Sequence, residues 1–277
     1  MDNLINAWQN LPYHLNPNLF SVGFFHLRYY SLMYLAAFSL TYILVSYRLK
    51  TENFSYSIEM IQDFFIWGIL GLILGARFGY VLFYNFSYYL HHSWEIIIPL
   101  NFSQGVRFVG ISGMSYHGGA LGVVIAALLF CRKRGIDFWN LTDLFCPTFP
   151  LGYTFGRIGN FINGELFGRV TDAPWGMYFP LAPNHELRHP SQLYEAFFEG
   201  IILFIFLWIL RKKRPFAGFQ LALYAIGYGT IRFFIEFYRE PDFQLGFVWN
   251  MLSMGQLLCL AMILTGLGII ILRRGRR

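Results

Sequence analysis

Apolar residues along this chain come in runs long enough to cross a lipid bilayer, and polar residues gather between them. Seven such runs stand out, at about 29–48, 61–85, 111–131, 142–162, 193–210, 218–237 and 248–272, each long enough for a helix to cross a ~30 Å hydrocarbon core. The predicted fold class is an all-α integral membrane protein, a seven-transmembrane-helix bundle with interfacial and periplasmic loop elements, organised as a single membrane domain over residues 1–277. An external loop is expected at about 163–190.

The pattern inside the runs adds local detail. Gly71, Gly75 and Gly79 recur every four residues, a small-residue stripe for close helix packing, and Gly118 with Gly122 makes another. Pro147 and Pro150 predict a kink in the fourth span. Asn140 followed by Asp143 resembles a cap at that span's start, which makes Asp143 structural. The fourth span closes on Gly156-Arg157-Ile158-Gly159-Asn160-Phe161-Ile162-Asn163-Gly164-Glu165, where Arg157 and Asn160 share a helical face. Asn163-Gly164 then stops the helix, and Glu165 begins a loop. Tyr228, Arg232, Glu236 and Arg239 follow at steps of four, four and three, a single face at the end of span six.

Basic residues fix a topology. Arg48 and Lys50, Arg132-Lys133-Arg134, Arg211-Lys212-Lys213-Arg214, and Arg273, Arg274, Arg276 and Arg277 fall in alternate connections and at the C-terminus. These are the cytoplasmic sides, so the N-terminus is outside and the C-terminus inside. With 56% hydrophobic and 13% charged residues, a soluble domain is excluded. The net charge of +6 sits between spans, as membrane topology requires, and forms no nucleic-acid surface. No Lys or Arg precedes Arg28, so the charged region of a cleavable signal peptide is lacking. Cys131, Cys146 and Cys259 are far apart and read as packing residues, without a disulfide. His91-His92 lacks the ligand spacing of a metal site.

Several side chains admit two readings. Arg77, inside span two, is either a functional cation or half of a structural ion pair. His117 in Ser115-Tyr116-His117-Gly118-Gly119 is either a helix–helix hydrogen bonder or a proton acceptor. Tyr30 and Tyr34 are favoured as aromatic-belt residues. Glu195 and Glu199 could form an acid/base pair, but stabilisation of a helix N-terminus is favoured. On the predicted topology Arg77, His117, Arg157, Arg232 and Glu236 all lie in the outer halves of their spans. That grouping suits a phosphate or a phospholipid head group. The inner halves lack the charges of a transport path, and there is no Walker loop, zinc signature or serine elbow.

These stretches resemble the bacterial prolipoprotein diacylglyceryl transferases. The resemblance rests on Gly156 through Glu165, Ser115 through Gly119, Arg188-His189-Pro190-Ser191-Gln192-Leu193-Tyr194-Glu195, and Tyr228-Gly229-Thr230-Ile231-Arg232 with Glu236 and Arg239. It runs on to Ser253-Met254-Gly255-Gln256 and so covers nearly the whole chain. Family members commonly carry Trp-Tyr-Gly where this chain has Tyr29-Tyr30-Ser31, and the loop before His189 is short. The resemblance implies a membrane enzyme without cofactor or metal, in the bacterial cytoplasmic membrane, with its site toward the periplasmic half. It would transfer the diacylglyceryl group of phosphatidylglycerol to the lipobox cysteine of a preprolipoprotein signal peptide, releasing glycerol 1-phosphate. His117, Arg157 and Arg232 would be catalytic. Tyr30, Arg77, Asn160, Glu165, Tyr228, Glu236 and Arg239 would bind lipid or peptide. Whether His117 takes the thiol proton, or an arginine stabilises the thiolate, stays open at this point. Two rival classes are another phospholipid-modifying transferase using the same arginines and a lipid-binding protein without catalysis.

Overall fold

The computed structural model describes residues 2–22, 25–96, 100–101, 107–108, 113–240, 247–248 and 252–275. The chain divides into two compact units, Met1–Asn53 with Trp139–Arg277, and Phe54–Phe138. Helices dominate both. In the first unit, α1 (Asp2–Gln9) and α2 (Leu11–His14) precede an antiparallel pair, β1 (Asn18–Val22) and β2 (Phe25–Arg28), and then α3 (Tyr29–Thr51).

The second unit holds α4 (Ile58–Tyr84), α5 (Phe86–His91), a 3₁₀ turn (Ser93–Ile96), the short pair β3 (Leu100–Asn101) and β4 (Arg107–Phe108), and α6 (Tyr116–Arg134). Helices α4 and α6 pack through their glycines. A methyl group on Gly75 would stand 2.6 Å from Gly122 Cα, so the two backbones touch as the small-residue stripes predict. Ser115 caps α6, accepting from Gly118 N at 3.2 Å, and Gly135 ends the helix at φ +66°. Arg134 pairs with Asp63 across the two helices.

The chain then returns to the first unit. Helix α7 (Phe138–Phe145) and α8 (Phe149–Ile162) are joined by a 3₁₀ turn, Cys146–Thr148. Pro147 lies in that turn and Pro150 in the first turn of α8, so the predicted kink is a break between two short helices. A continuous helix, Ser191–Leu210, follows in three parts: α9 (Ser191–Tyr194), a π-helical segment (Glu195–Ile202) and α10 (Leu203–Leu210). Then come α11 (Phe219–Ile235), β5 (Phe247–Val248) paired with β6 (Leu252–Ser253), and α12 (Met254–Arg273). Within this unit α8 packs on α3 and on the π-helical segment, and α11 packs on α12.

Among the described residues, four helices are long and apolar enough to cross a membrane: Tyr29–Thr51, Ile58–Tyr84, Ser191–Leu210 and Met254–Arg273. They coincide with the first, second, fifth and seventh predicted spans. The third falls on α6, which carries His117 near one end and three basic residues at the other. The fourth is divided by Pro147, and the sixth is the shorter apolar helix α11. Residues 111–112 and 249–251, at the starts of predicted spans three and seven, lie outside the described residues.

Buried charge pins one end of the first unit. Arg48 is fully buried and makes paired bonds to Glu52 at 2.9 and 2.8 Å. Its Nη1 donates to the carbonyls of Asp143, at 2.8 Å, and Leu144. Asp143 in turn accepts from Gly218 N at 2.9 Å and Gln220 N at 2.8 Å, which caps the start of α11. Asp143 is thus structural, as its sequence context suggests, but the helix it caps is α11 and not its own. Asn140 lies inside α7 and does not begin it. At the opposite end of α8, loop 163–190 covers a small core of Phe161, Met177 and Phe179, against which Leu11 and Leu15 pack. Trp8 Nε1 donates to Trp175 O at 2.9 Å and Tyr178 N to Gln9 O at 2.8 Å, tying α1 to that loop. Removing Arg48 leaves Glu52 short of its chelating partner and strips a donor from two buried carbonyls. Arg48→Met is expected to lower stability by about 3–5 kcal/mol, read as an earlier thermal unfolding transition in detergent.

Candidate functional site

The polar stretch at the end of α8 folds as a helix terminus with a built-in network. Gly164 takes φ +68°, Gly164 N bonds to Phe161 O at 3.0 Å, and Glu165 N bonds to Asn160 O at 3.1 Å. This double closure is a Schellman motif, and glycine adopts its left-handed step without strain. The turn sends Glu165 back along the helix, where its Oε1 accepts from Asn160 Nδ2 at 2.9 Å and Asn163 Nδ2 at 3.2 Å. Asn160 Oδ1 accepts from Arg157 Nη1 at 3.3 Å, so the predicted shared face of Arg157 and Asn160 is real.

Neighbouring segments hold the turn in place. Ser191 Oγ donates to Leu166 O at 3.0 Å, and Gln192 Nε2 donates to Glu165 O at 2.6 Å. Gly168 N bonds to His189 O at 2.8 Å. The motif Arg188 through Gln192 therefore clasps the loop that leaves α8. Leu166, a non-glycine residue at φ +59°, sits between these anchors and keeps its strained backbone because they fix it.

The centre of the site lies where α8, the π-helical segment and α11 meet. Glu195 Oε2 is 2.9 Å from Arg157 Nε, 2.8 Å from Arg232 Nη1 and 3.0 Å from Tyr153 OH. Arg232 Nη1 is also 3.5 Å from Glu199 Oε1, and its Nη2 pairs with Glu236 Oε2 at 3.0 Å. Ser253 Oγ donates to Glu236 Oε1 at 3.1 Å while also capping α12. Glycines allow these approaches. A methyl group on Gly255 would stand 2.5 Å from Glu236 Oε1, and one on Gly200 would strike Thr154 of α8. Glu195 and Glu199 are fully buried, Arg232 is buried, and Arg157 is partly buried. Arg157 points two of its nitrogens inward, to Glu195, Tyr153 and Asn160, and keeps 13% side-chain exposure. Its Nη2 makes no hydrogen bond among the described residues.

The structure brings together most of the residues singled out in the sequence. Arg157, Asn160, Glu165, Arg232 and Glu236 form the network just described. Tyr30 lies against Gly159 of α8 and bonds Tyr34 OH at 3.0 Å. The Tyr228 ring packs edge-on against Tyr153, at 5.8 Å between centroids. Arg239 lies past the end of α11, not on the same helical face, and forms an isolated bridge with Gly168. His117 and Arg77 belong to the second unit. His117 is exposed near the start of α6. Arg77 donates to the carbonyls of Ile96 at 2.9 Å and Glu95 at 2.5 Å and lies over the Tyr89 ring, so its positive charge closes a 3₁₀ turn. The residues the sequence undervalued are Glu195, Glu199, Tyr153 and Ser253. The one local signal for the first two was their spacing of four on one face.

A family model described as prolipoprotein diacylglyceryl transferase matches residues 17–272. The chain is 53% identical over 270 residues to a phosphatidylglycerol–prolipoprotein diacylglyceryl transferase of Chlorobaculum tepidum, covering 97% of this chain and 93% of that protein. It is 46% identical over 261 residues to a protein of the same name from Campylobacter hominis (94% of this chain, 91% of the relative). A Campylobacter jejuni relative of that name is 46% identical over 263 residues, 94% of either chain. A multi-pass membrane transferase is the class these helices and matches define. The chain belongs to the prolipoprotein diacylglyceryl transferase family.

His189 gives the clasp a pH dependence. Trp175 Nε1 donates to Tyr194 Oη at 2.9 Å, which leaves the Tyr194 hydroxyl proton for His189 Nδ1, 3.1 Å away. Burial holds the imidazole below its ordinary value of 6.5. The unfolded chain then binds the proton first, so stability is full above 6.5 and is lost as pH falls through the lower folded value. Unfolding temperature is expected to drop on acidification through that window, with a shallower slope in His189→Gln.

Proposed function

We propose that this chain transfers the diacylglyceryl group of phosphatidylglycerol to the thiol of a lipobox cysteine in preprolipoprotein signal peptides. The names of its relatives carry phosphatidylglycerol, prolipoprotein and diacylglyceryl transfer, and the lipobox thiol comes from the family resemblance of the sequence motifs. The observation that carries the assignment to a site is the half-committed guanidinium of Arg157. Its Nε edge is held by Glu195 and Tyr153, and its Nη2 is uncommitted among the described residues. Such an edge suits a phosphate oxygen.

In this reading the cysteine sulfur attacks the glyceryl carbon that bears the phosphate. The carbon–oxygen bond to phosphate breaks, a thioether forms, and glycerol 1-phosphate departs with the electron pair. Arg157 and Arg232 stabilise the charge that grows on the leaving phosphate. A free thiol with a pKa of about 8.5 is mostly protonated at neutral pH, so its proton needs an acceptor. His117 is that acceptor on the chemistry of imidazole. Asn160, Glu165, Glu236 and Ser253 hold the arginines in register, and Tyr30, Tyr228, Arg77 and Arg239 complete the proposed substrate contacts. The seven-span arrangement, with 1–277 as one domain, belongs to the same proposal. So do the external N-terminus, the cytoplasmic C-terminus, the cytoplasmic membrane as location and a periplasmic-side site. All draw support from the alternating basic clusters.

Two experiments test the proposal. Purified protein, phosphatidylglycerol and a lipobox peptide should give a diacylglyceryl mass gain and free glycerol phosphate, and none with the cysteine replaced by serine. Lipid consumed without peptide modification would instead identify another phospholipid-modifying transferase, and neither change would leave a binding protein. Arg157→Ala is expected to lower kcat by about 100-fold or more, as for loss of one transition-state donor. His117→Gln should lose turnover too. If His117→Gln keeps nearly full turnover, the base assignment fails and arginine-assisted thiolate formation replaces it.

A further inference from the structure

Tyr153 has one proton and three polar contacts. Its oxygen accepts from Arg157 Nε at 2.7 Å and lies 2.6 Å from Glu199 Oε2 and 3.0 Å from Glu195 Oε2. A phenol gives one hydrogen bond and receives at most two. With both glutamates ionised, one of the two oxygen–oxygen contacts would hold no proton. Two fully buried carboxylates, four residues apart, would then share a single phenol, an arrangement that disfavours double ionisation.

We propose that Glu199 is held as a neutral carboxylic acid, so that Glu195 alone is the charged clamp on both arginines. The Glu199 proton is donated to Tyr153 Oη, and the Tyr153 hydroxyl proton is donated to Glu195 Oε2. Tyr153 then uses its donor and both acceptor positions, and each contact contains one hydrogen. The charged groups facing the pair fit this assignment. Arg232 Nη1 is closer to Glu195 Oε2, at 2.8 Å, than to Glu199 Oε1, at 3.5 Å. Arg157 reaches Glu195, and Glu236 occupies the far side of Arg232. Tyr228 faces the pair through the Tyr153 ring. Glu199 Oε1 and Glu195 Oε1 both lack a hydrogen bond among the described residues, so the arginine distances are what separate the two carboxylates.

The consequence is a balanced cluster. Arg157 and Arg232 face Glu195 and Glu236, and an incoming phosphate meets no surplus carboxylate. Glu199 is a positioning residue, acting through Tyr153 and Glu195. The role in phosphate binding rests on the proposed transferase reading, but the protonation does not.

The experiment separates the two. Infrared spectra of the purified protein at neutral pH should show the carbonyl stretch of a protonated carboxylic acid, and Glu199→Gln should remove it. Absence of the band in the wild type, or its survival in Glu199→Gln, overturns the assignment. In the transfer assay, Glu199→Gln keeps an N–H donor for Tyr153 and should lose only about fivefold in kcat/KM, against about 100-fold for Glu199→Ala. Glu195→Gln, which removes the charged clamp, should also lose about 100-fold, chiefly in kcat. Equal losses in Glu199→Gln and Glu195→Gln at unchanged unfolding temperature would overturn the proposal. A wild-type protein without transfer activity would sink the transferase reading while the infrared band still decided the proton.

Discussion

A charge taken out of water must find its partners inside the protein, and in this chain that requirement organises the larger unit. Glu195 is fully buried, and one of its oxygens meets donors from two other helices: Tyr153 and Arg157 of α8, and Arg232 of α11. Breaking a buried pair leaves its partner charged and unsolvated, which costs several kcal/mol even after relaxation. The three helices are thus coupled through one oxygen atom more specifically than apolar packing could couple them. Near the other end, Arg48 does the reverse, gathering backbone carbonyls of α7 and the Glu52 carboxylate around a buried cation. Between these ends the surfaces are apolar, and apolar contacts resist sliding only weakly. The buried ions supply the register.

That register depends on residues with little chemistry of their own. Gly255 gives Glu236 room beside α12, and Gly200 lets α8 lie against the π-helical segment. Gly164 turns the chain so that Glu165 folds back toward Asn160. The π-helical segment begins at Glu195 itself, and such segments recur at functional sites because they re-aim side chains that a regular helix would direct elsewhere. Small residues and one irregular helix turn thereby convert three ordinary helix contacts into a charged junction.

Much of this was legible from the chain. The turn at Asn163-Gly164, the shared face of Arg157 and Asn160 and the glycine stripes of α4 and α6 follow from local stereochemistry, and the structure reproduces them, while the kink expected at Pro147 is a full break between two helices. The roles of Glu195 and Glu199 were not legible, because two carboxylates near a helix start are read first as partners of the helix dipole, the reading favoured from the sequence. What distinguishes them is Tyr153, 42 residues from Glu195 and 46 from Glu199 along the sequence, and tertiary pairing of that kind leaves no trace in spacing. Arg77, which reads from the sequence as either a functional cation or half of a structural ion pair, also meets backbone carbonyls of a nearby turn. Hydrogen-bond acceptors on the backbone are invisible to a reading of side chains.

Pairing with glutamate does not make these arginines poor ligands for phosphate. A guanidinium presents donors on separate edges. Glu195 and Tyr153 occupy the Nε edge of Arg157, fixing its plane and direction, and do not cover Nη2. An unpaired arginine would have to give up rotamer freedom and solvent when the anion arrived. This one has surrendered rotamer freedom and most of its solvent on folding, so in the proposed reaction the stabilisation it would offer to developing negative charge is not spent on reorganisation. The clamp weakens the resting field of the cation but sharpens its aim. For a reaction in which charge grows on a leaving phosphate, the aimed donor contributes more in the transition state than in the ground state, and that difference is what accelerates a reaction.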